Sequence, residues 1–291
     1  METTTKQPQR SFIGIAAFMI VLFTMPLGHA AMIAMENVLE GSALTLGAFL
    51  LGLIGAAWTI WGFYMKSENA ATFAGLMGGL LVWTGWIEFT FVYYAHRYNV
   101  APLTDAAGEI VTKPEYLIMM SSIGFLAIVM LFYTFSARTK CVFFCWLQKK
   151  LRIDRHQDSM QVVTRNNSMT TFMEISVLLW VSYLVLMFAY DDHLLGDRHP
   201  VTAFIAFGSL VWSGYLFVKL MKIRKIGYAI RYAIPTVIIF WTFVEILGRW
   251  NLFSEIWTEP GKYKVEMITM FVVFILFSVY LFIHKRHHTQ K

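Results

Sequence analysis

Charge is scarce in this chain: Asp, Glu, Lys and Arg together make up 14% of 291 residues, against 57% hydrophobic residues. So little polar material cannot coat a water-exposed globule of this size, which excludes an ordinary soluble fold and makes lipid the solvent for much of the chain. Cysteine is nearly absent as well. Cys141 and Cys145 are the whole thiol inventory, and without a second pair they do not make a structural zinc site, so they read as free thiols, with a metal-binding or palmitoylated pair as the alternatives. Proline inside the apolar segments is almost confined to Pro26 and Pro235, which gives little sign of broken-helix transport machinery. There is no glycine-rich phosphate loop, no nucleophile constellation and no soluble catalytic domain.

What the chain has in abundance is apolar length. A helix needs roughly 20 apolar residues to cross about 30 Å of hydrocarbon, and such stretches fall at about 11–34, 47–65, 71–95, 115–137, 170–190, 201–221, 230–250 and 265–284. The first is too long for a secretory leader and reads as a retained helix. The expected fold is therefore an all-α polytopic membrane protein of eight transmembrane helices. Lys6, Arg10, Lys66, the basic run from Arg138 to Arg165, Lys219 to Arg231 and the tail HKRHHTQK all fall on one side of this arrangement. Glu36, Glu40, Asp105, Glu109, Asp191, Asp192, Asp197, Glu255 and Glu259 fall on the other. The positive-inside rule then puts both termini in the cytoplasm and the protein in the cytoplasmic (inner) membrane. The net charge of +6 speaks for membrane lipids as partners and not for nucleic acid.

The second half of the chain echoes the first. AFLLGLIGAAWTIWGFYMK from Ala48 to Lys66 parallels AFIAFGSLVWSGYLFVKLMK from Ala203 to Lys222, and LLVWTGWIEF with Glu88 parallels IIFWTFVEIL with Glu245. The preserved order of Trp, Glu and Lys landmarks predicts two parallel four-helix repeats, residues 1–137 and 169–291. Residues 138–168 form a basic cytoplasmic linker whose start, CVFFCWLQKKLRI, suits a helix lying in the membrane interface.

Candidate site residues gather in the half expected to face outward. Glu88 lies deep in an apolar run, where a lone ionised carboxylate must find a partner or take up a proton. Glu245 occupies the matching depth in the second repeat, with Arg249 one turn on as a local partner. These two carboxylates are the candidate catalytic pair. His29 and Glu36 stand two turns apart in the first helix, just after Pro26 and Gly28, so they share a face. His96, Asp191, Asp192, His193 and His199 complete the candidate metal ligands, because imidazole and carboxylate together suit copper, iron or zinc.

Three classes of function remain open. A membrane metalloenzyme, an oxidoreductase or a subunit of one, would act on a small apolar or lipid-like substrate in the outward half. A proton- or cation-coupled transporter would use Glu88 and Glu245. A scaffold or assembly subunit would bind a protein partner through its outward loops. ILGRWNLFSEIWTEP from Ile246 to Pro260 and KPEYLIM from Lys113 to Met119 resemble, in texture, short stretches in the membrane subunits of copper-dependent methane and ammonia monooxygenases. That resemblance spans under two dozen residues and lacks the Asp/His/His ligand spacing of those proteins. It implies no fold or activity here and only inclines the reading toward a metalloenzyme.

The orientation is testable through the two thiols. In intact cells, a membrane-permeant maleimide is expected to label Cys141 and Cys145 while an impermeant one labels neither until the cells are opened; labelling from outside would invert the topology.

Overall fold

The computed structural model describes residues 10–104, 108, 110–135, 147–151 and 166–288. Cys141, Cys145, Asp105, Glu109 and most of the linker expected at 138–168 lie outside these residues. Among the described residues, eight helices are long and apolar enough to cross a membrane: Phe12–Val38, Gly41–Phe63, Glu68–Arg97, Pro114–Phe132, Asn167–Tyr190, Pro200–Leu220, Ile226–Arg249 and Lys264–Leu281. Below they are the first to eighth spans. Each coincides with one expected segment, and the architecture is that of an all-α integral membrane protein.

Local chemistry sets the ends. Ser67 caps the third span by accepting from Ala70 N, and Asn166 caps the fifth by accepting from Met169 N at 2.9 Å. Pro114 and Pro200 each sit in the first turn of a span, where a missing N–H costs nothing. The third span is not uniform: a π-helical stretch, Trp83–Glu88, separates helix Glu68–Val82 from helix Phe89–Arg97. The fourth is interrupted likewise by a 3₁₀ turn at Met120–Ser122. Between these two spans a short antiparallel hairpin pairs β1 (Leu103–Thr104) with β2 (Ile110–Thr112). A two- and three-residue ladder leaves too little periodicity to be read in the sequence.

The third and seventh spans are the most buried. The third packs on the second and fifth, the seventh on the sixth and first, and the first also packs along the eighth. Close backbone approach makes this possible. A Cβ at Gly85 would stand 2.5 Å from Gly52 N and 2.6 Å from Ala48 O, and one at Gly75 would collide with the Ser168 carbonyl. Small residues let helices approach until dispersion contacts accumulate, which matters where lipid removes the hydrophobic drive between helices.

The helix starts and ends sort the bundle into two ends. At one, the buried Arg231 of the seventh span donates to Glu68 Oε1 at 3.1 Å, to Asn167 Oδ1 at 2.8 Å and, more loosely, to Gly227 O at 3.4 Å. Asn69 Oδ1 accepts from Gly227 N at 3.0 Å. One guanidinium thus ties the starts of the third, fifth and seventh spans. The other end carries the residues described in the next subsection. Between them Ile20, Val21, Leu76, Ile175, Ile234 and Val237 have no exposed surface.

Because Arg231 is buried and Glu68 half exposed, the two partners are unequal. Arg231→Ala is expected to lower unfolding stability in detergent by about 3 kcal/mol, since it strips partners from two helices. Glu68→Gln should cost under about 1 kcal/mol. Equal costs would show that the guanidinium is held by something other than this clamp.

Candidate functional site

The end opposite the Arg231 clamp holds a cavity of about 400 Å³ between the first, fourth, fifth and seventh spans and the turn after the seventh. His29 reaches it from the first span, Lys113 and Tyr116 from the start of the fourth, and Tyr183 and Tyr190 from the end of the fifth. Glu245 and Arg249 reach it from the seventh, Glu255 and Trp257 from the turn beyond. Farther in, its wall becomes apolar at Met25, Leu179 and Ile238. One turn deeper on the same three helices, Val21, Ile175 and Ile234 are fully buried. The chamber therefore has a polar mouth and a dry floor.

His29 and Glu88 come together: Nδ1 lies 3.5 Å from Oε1, with both side chains largely buried. Irregular helix geometry brings them there. Pro26 lies inside the first span three residues before His29, and Glu88 ends the π-helical stretch, whose wider turn redirects the side chains on it. Glu245, Lys113 and Glu88 all lie within electrostatic reach of His29. Glu245 does not pair with Arg249, the local partner expected from the sequence. Its Oε1 accepts from the Trp241 indole N–H at 2.7 Å, while Arg249 donates from Nε to Asp197 Oδ2 at 2.9 Å and from Nη1 to Thr112 Oγ1 at 3.0 Å. A planar guanidinium suits several acceptors at once, so Arg249 fastens the seventh span to the hairpin and to the turn after the fifth.

The other expected ligands are dispersed. Glu36 lies within electrostatic reach of Lys113, Glu115, Glu88 and His29 but does not line the chamber. His96 is exposed at the end of the third span. In the turn after the fifth span Asp191 accepts from His193 N at 2.9 Å, and His199 Nδ1 caps the sixth span by accepting from Val201 N at 3.2 Å. Asp192 and His193 are exposed. Among the described residues, no three side chains of the His, Cys, Asp and Glu types gather as a metal site would require.

Sequence reasoning missed the aromatic wall. Trp83 and Tyr183 stack at 5.8 Å and 10°, Tyr183 and Tyr116 at 5.8 Å and 17°, and Trp241 and Trp257 pack at 5.0 Å and 50°. Aromatic rings are common at the interfaces of a membrane chain, so nothing in their spacing set these apart. It also left Glu255 among the surface acids. Gly248 carried the available signal: the Glu255 carboxylate folds into the space that a Cβ there would fill.

No family model matches this chain, and neither a curated protein nor a solved structure matches it significantly.

Glu255 lies in the turn beyond the seventh span. Burial raises its carboxyl above the ordinary range, against the opposing charges of His29, Lys113 and Arg249. A carboxyl whose folded-state value is raised favours folding while it is protonated, and that contribution disappears as pH climbs through the raised value. Glu255→Gln is thus expected to melt above wild type at pH 8 and to converge with it as pH falls through the carboxylate range. A gap independent of pH would assign Glu255 a packing role.

Proposed function

We propose that this protein is a proton-linked membrane carrier whose chamber binds a small amphipathic molecule and whose His29–Glu88 pair, with Glu245 nearby, takes up and releases the coupled proton. One observation carries the reading: a histidine–carboxylate pair held by two irregular helices at a chamber that also contains a second carboxylate and is sealed below by apolar side chains. Histidine beside a carboxylate exchanges protons near neutral pH, and a chamber open at one end and closed at the other is one of the two states that alternating access requires. Of the seven candidate metal ligands, only His29 lines the chamber. The donor geometry therefore supports proton exchange better than a metal-dependent oxidoreductase.

The reading includes two parallel four-helix repeats, with the chamber facing outward and both termini cytoplasmic. Charge segregation along the sequence supports the orientation. Burial supports the repeat: successive spans are 44, 22, 67 and 11% buried in the first half and 39, 17, 50 and 22% in the second, so the third member leads and the first follows in each. Packing supports it too, since first on seventh is mirrored by fifth on third, and second on third by sixth on seventh. The π-helical stretch fits one mismatch between the halves. Trp83 precedes Glu88 by five residues while Trp241 precedes Glu245 by four, and a π-bulge absorbs a single inserted residue without shifting the helix on either side.

Charge movement in reconstituted membranes tests the carrier. Wild-type proteoliposomes on a solid-supported membrane are expected to give currents with one class in a panel of small amphipathic amines, carboxylates and alcohols, with amplitudes varying between about pH 5 and 8. His29→Asn and Glu88→Gln should each remove most of the pH dependence. Wild-type protein that binds a panel member yet moves no charge at any pH would sink the proposal and turn attention to a membrane enzyme.

A further inference from the structure

We infer that the ligand of this chamber is a protonated amine carried on a small apolar body, a choice that rests on the chamber being the carrier's binding site. The first support is the balance of charge at the polar wall. Two carboxylates, Glu245 and Glu255, line it against the cations Lys113 and Arg249. Arg249 is already neutralised by Asp197, its Nε 2.9 Å from Oδ2, and His29 faces Glu88. Lys113 is the lining cation that remains beside the two carboxylates, so the chamber favours a cation. An anionic ligand would have to be desolvated beside like charges, which is costly in a low-dielectric site.

The second support is the ring content of the same wall. Trp241 and Trp257 pack together at 5.0 Å, and Trp241 also holds Glu245 by its indole N–H. Tyr116 and Tyr183 stack at 5.8 Å among the lining residues. Aromatic faces attract cations through the ring quadrupole, most strongly for tryptophan and where water is excluded. The protein already uses this contact at the chamber, with the Arg249 guanidinium 4.8 Å above the Tyr190 ring.

The third support distinguishes an amine from a cation without N–H groups. The Tyr190 hydroxyl is buried without a hydrogen-bond partner, on a residue that lines the chamber. A buried hydroxyl left unsatisfied costs free energy, and an ammonium N–H donating to its oxygen would supply the missing bond. Met25, Leu179 and Ile238 on the inner wall then receive the apolar body, and a cavity of about 400 Å³ lies in the range that encloses small organic ligands. Cation inside, rings around it and hydrocarbon below make one consistent ligand.

Calorimetry on nanodisc-embedded protein, with empty nanodiscs as blank, tests this using phenylethylammonium against two relatives of similar size, 3-phenylpropionate and 2-phenylethanol. Phenylethylammonium is expected to bind at least tenfold more tightly than either. Glu245→Gln should weaken it tenfold or more, Trp257→Leu about tenfold and Tyr190→Phe about fivefold. Asp192→Asn, in the exposed turn, should leave it unchanged and serve as a folding control. If Glu245→Gln does not fold, Glu255→Gln carries the same expectation. Preferential binding of phenylpropionate, or phenylethylammonium binding indifferent to all the chamber variants, would overturn the inference. An amine that binds as expected but evokes no pH-dependent current would sustain it and remove the carrier reading, whereas pH-linked currents evoked only by carboxylates would do the reverse.

Discussion

A carboxylate inside hydrocarbon costs several kcal/mol unless something nearby answers its charge or its hydrogen-bonding capacity, and the bundle is arranged around meeting that demand for Glu88. Its partner is the His29 imidazole, 3.5 Å away on another helix. For the two to meet, the first span must lie close to the π-helical stretch of the third. Gly28 faces the Thr84 hydroxyl of that stretch, which a Cβ there would meet in ordinary van der Waals contact at 3.7 Å. The third span is in turn held by glycine contacts to the second and fifth, so the pair is the local result of packing that extends across the bundle.

The two ends treat charge differently. At the Arg231 end a buried guanidinium is answered by acceptors on three helices, which fastens that end shut. At the chamber end polar groups are spread around a space, and only some are paired: Arg249 with Asp197, Glu245 with Trp241, His29 with Glu88. Groups fully satisfied by one another rigidify a structure, whereas groups left facing a cavity are available to a ligand. The contrast is what singles out the chamber as the candidate site.

Much of the fold was legible because the bilayer imposes a simple length rule. All eight segments were marked by apolar runs, and their sidedness by the charges between them. Glu88 and His29 were also legible, because an ionisable residue in an apolar run stands out against its neighbours. For Arg249, sequence proximity offered Glu245 as one i, i+4 partner, while the folded chain gives it Asp197 and Thr112. The histidines and aspartates near the end of the fifth span looked like ligands by density alone. In the fold Asp191 ends the fifth span and accepts from His193 N, and His199 caps the sixth, while Asp192 and His193 are exposed in the turn.

By itself the sequence determined that this is a membrane-spanning helical protein, how many spans it has and which ionisable residues lie among apolar ones. Those properties follow from local composition and the thickness of hydrocarbon. Only the tertiary structure decided which residues meet. Lys113, Tyr183, Glu245 and Glu255 come from four separate parts of the chain and share one cavity, and no spacing along the sequence encodes that convergence. It arises from helix rotation and approach, set by many small packing contacts made at once.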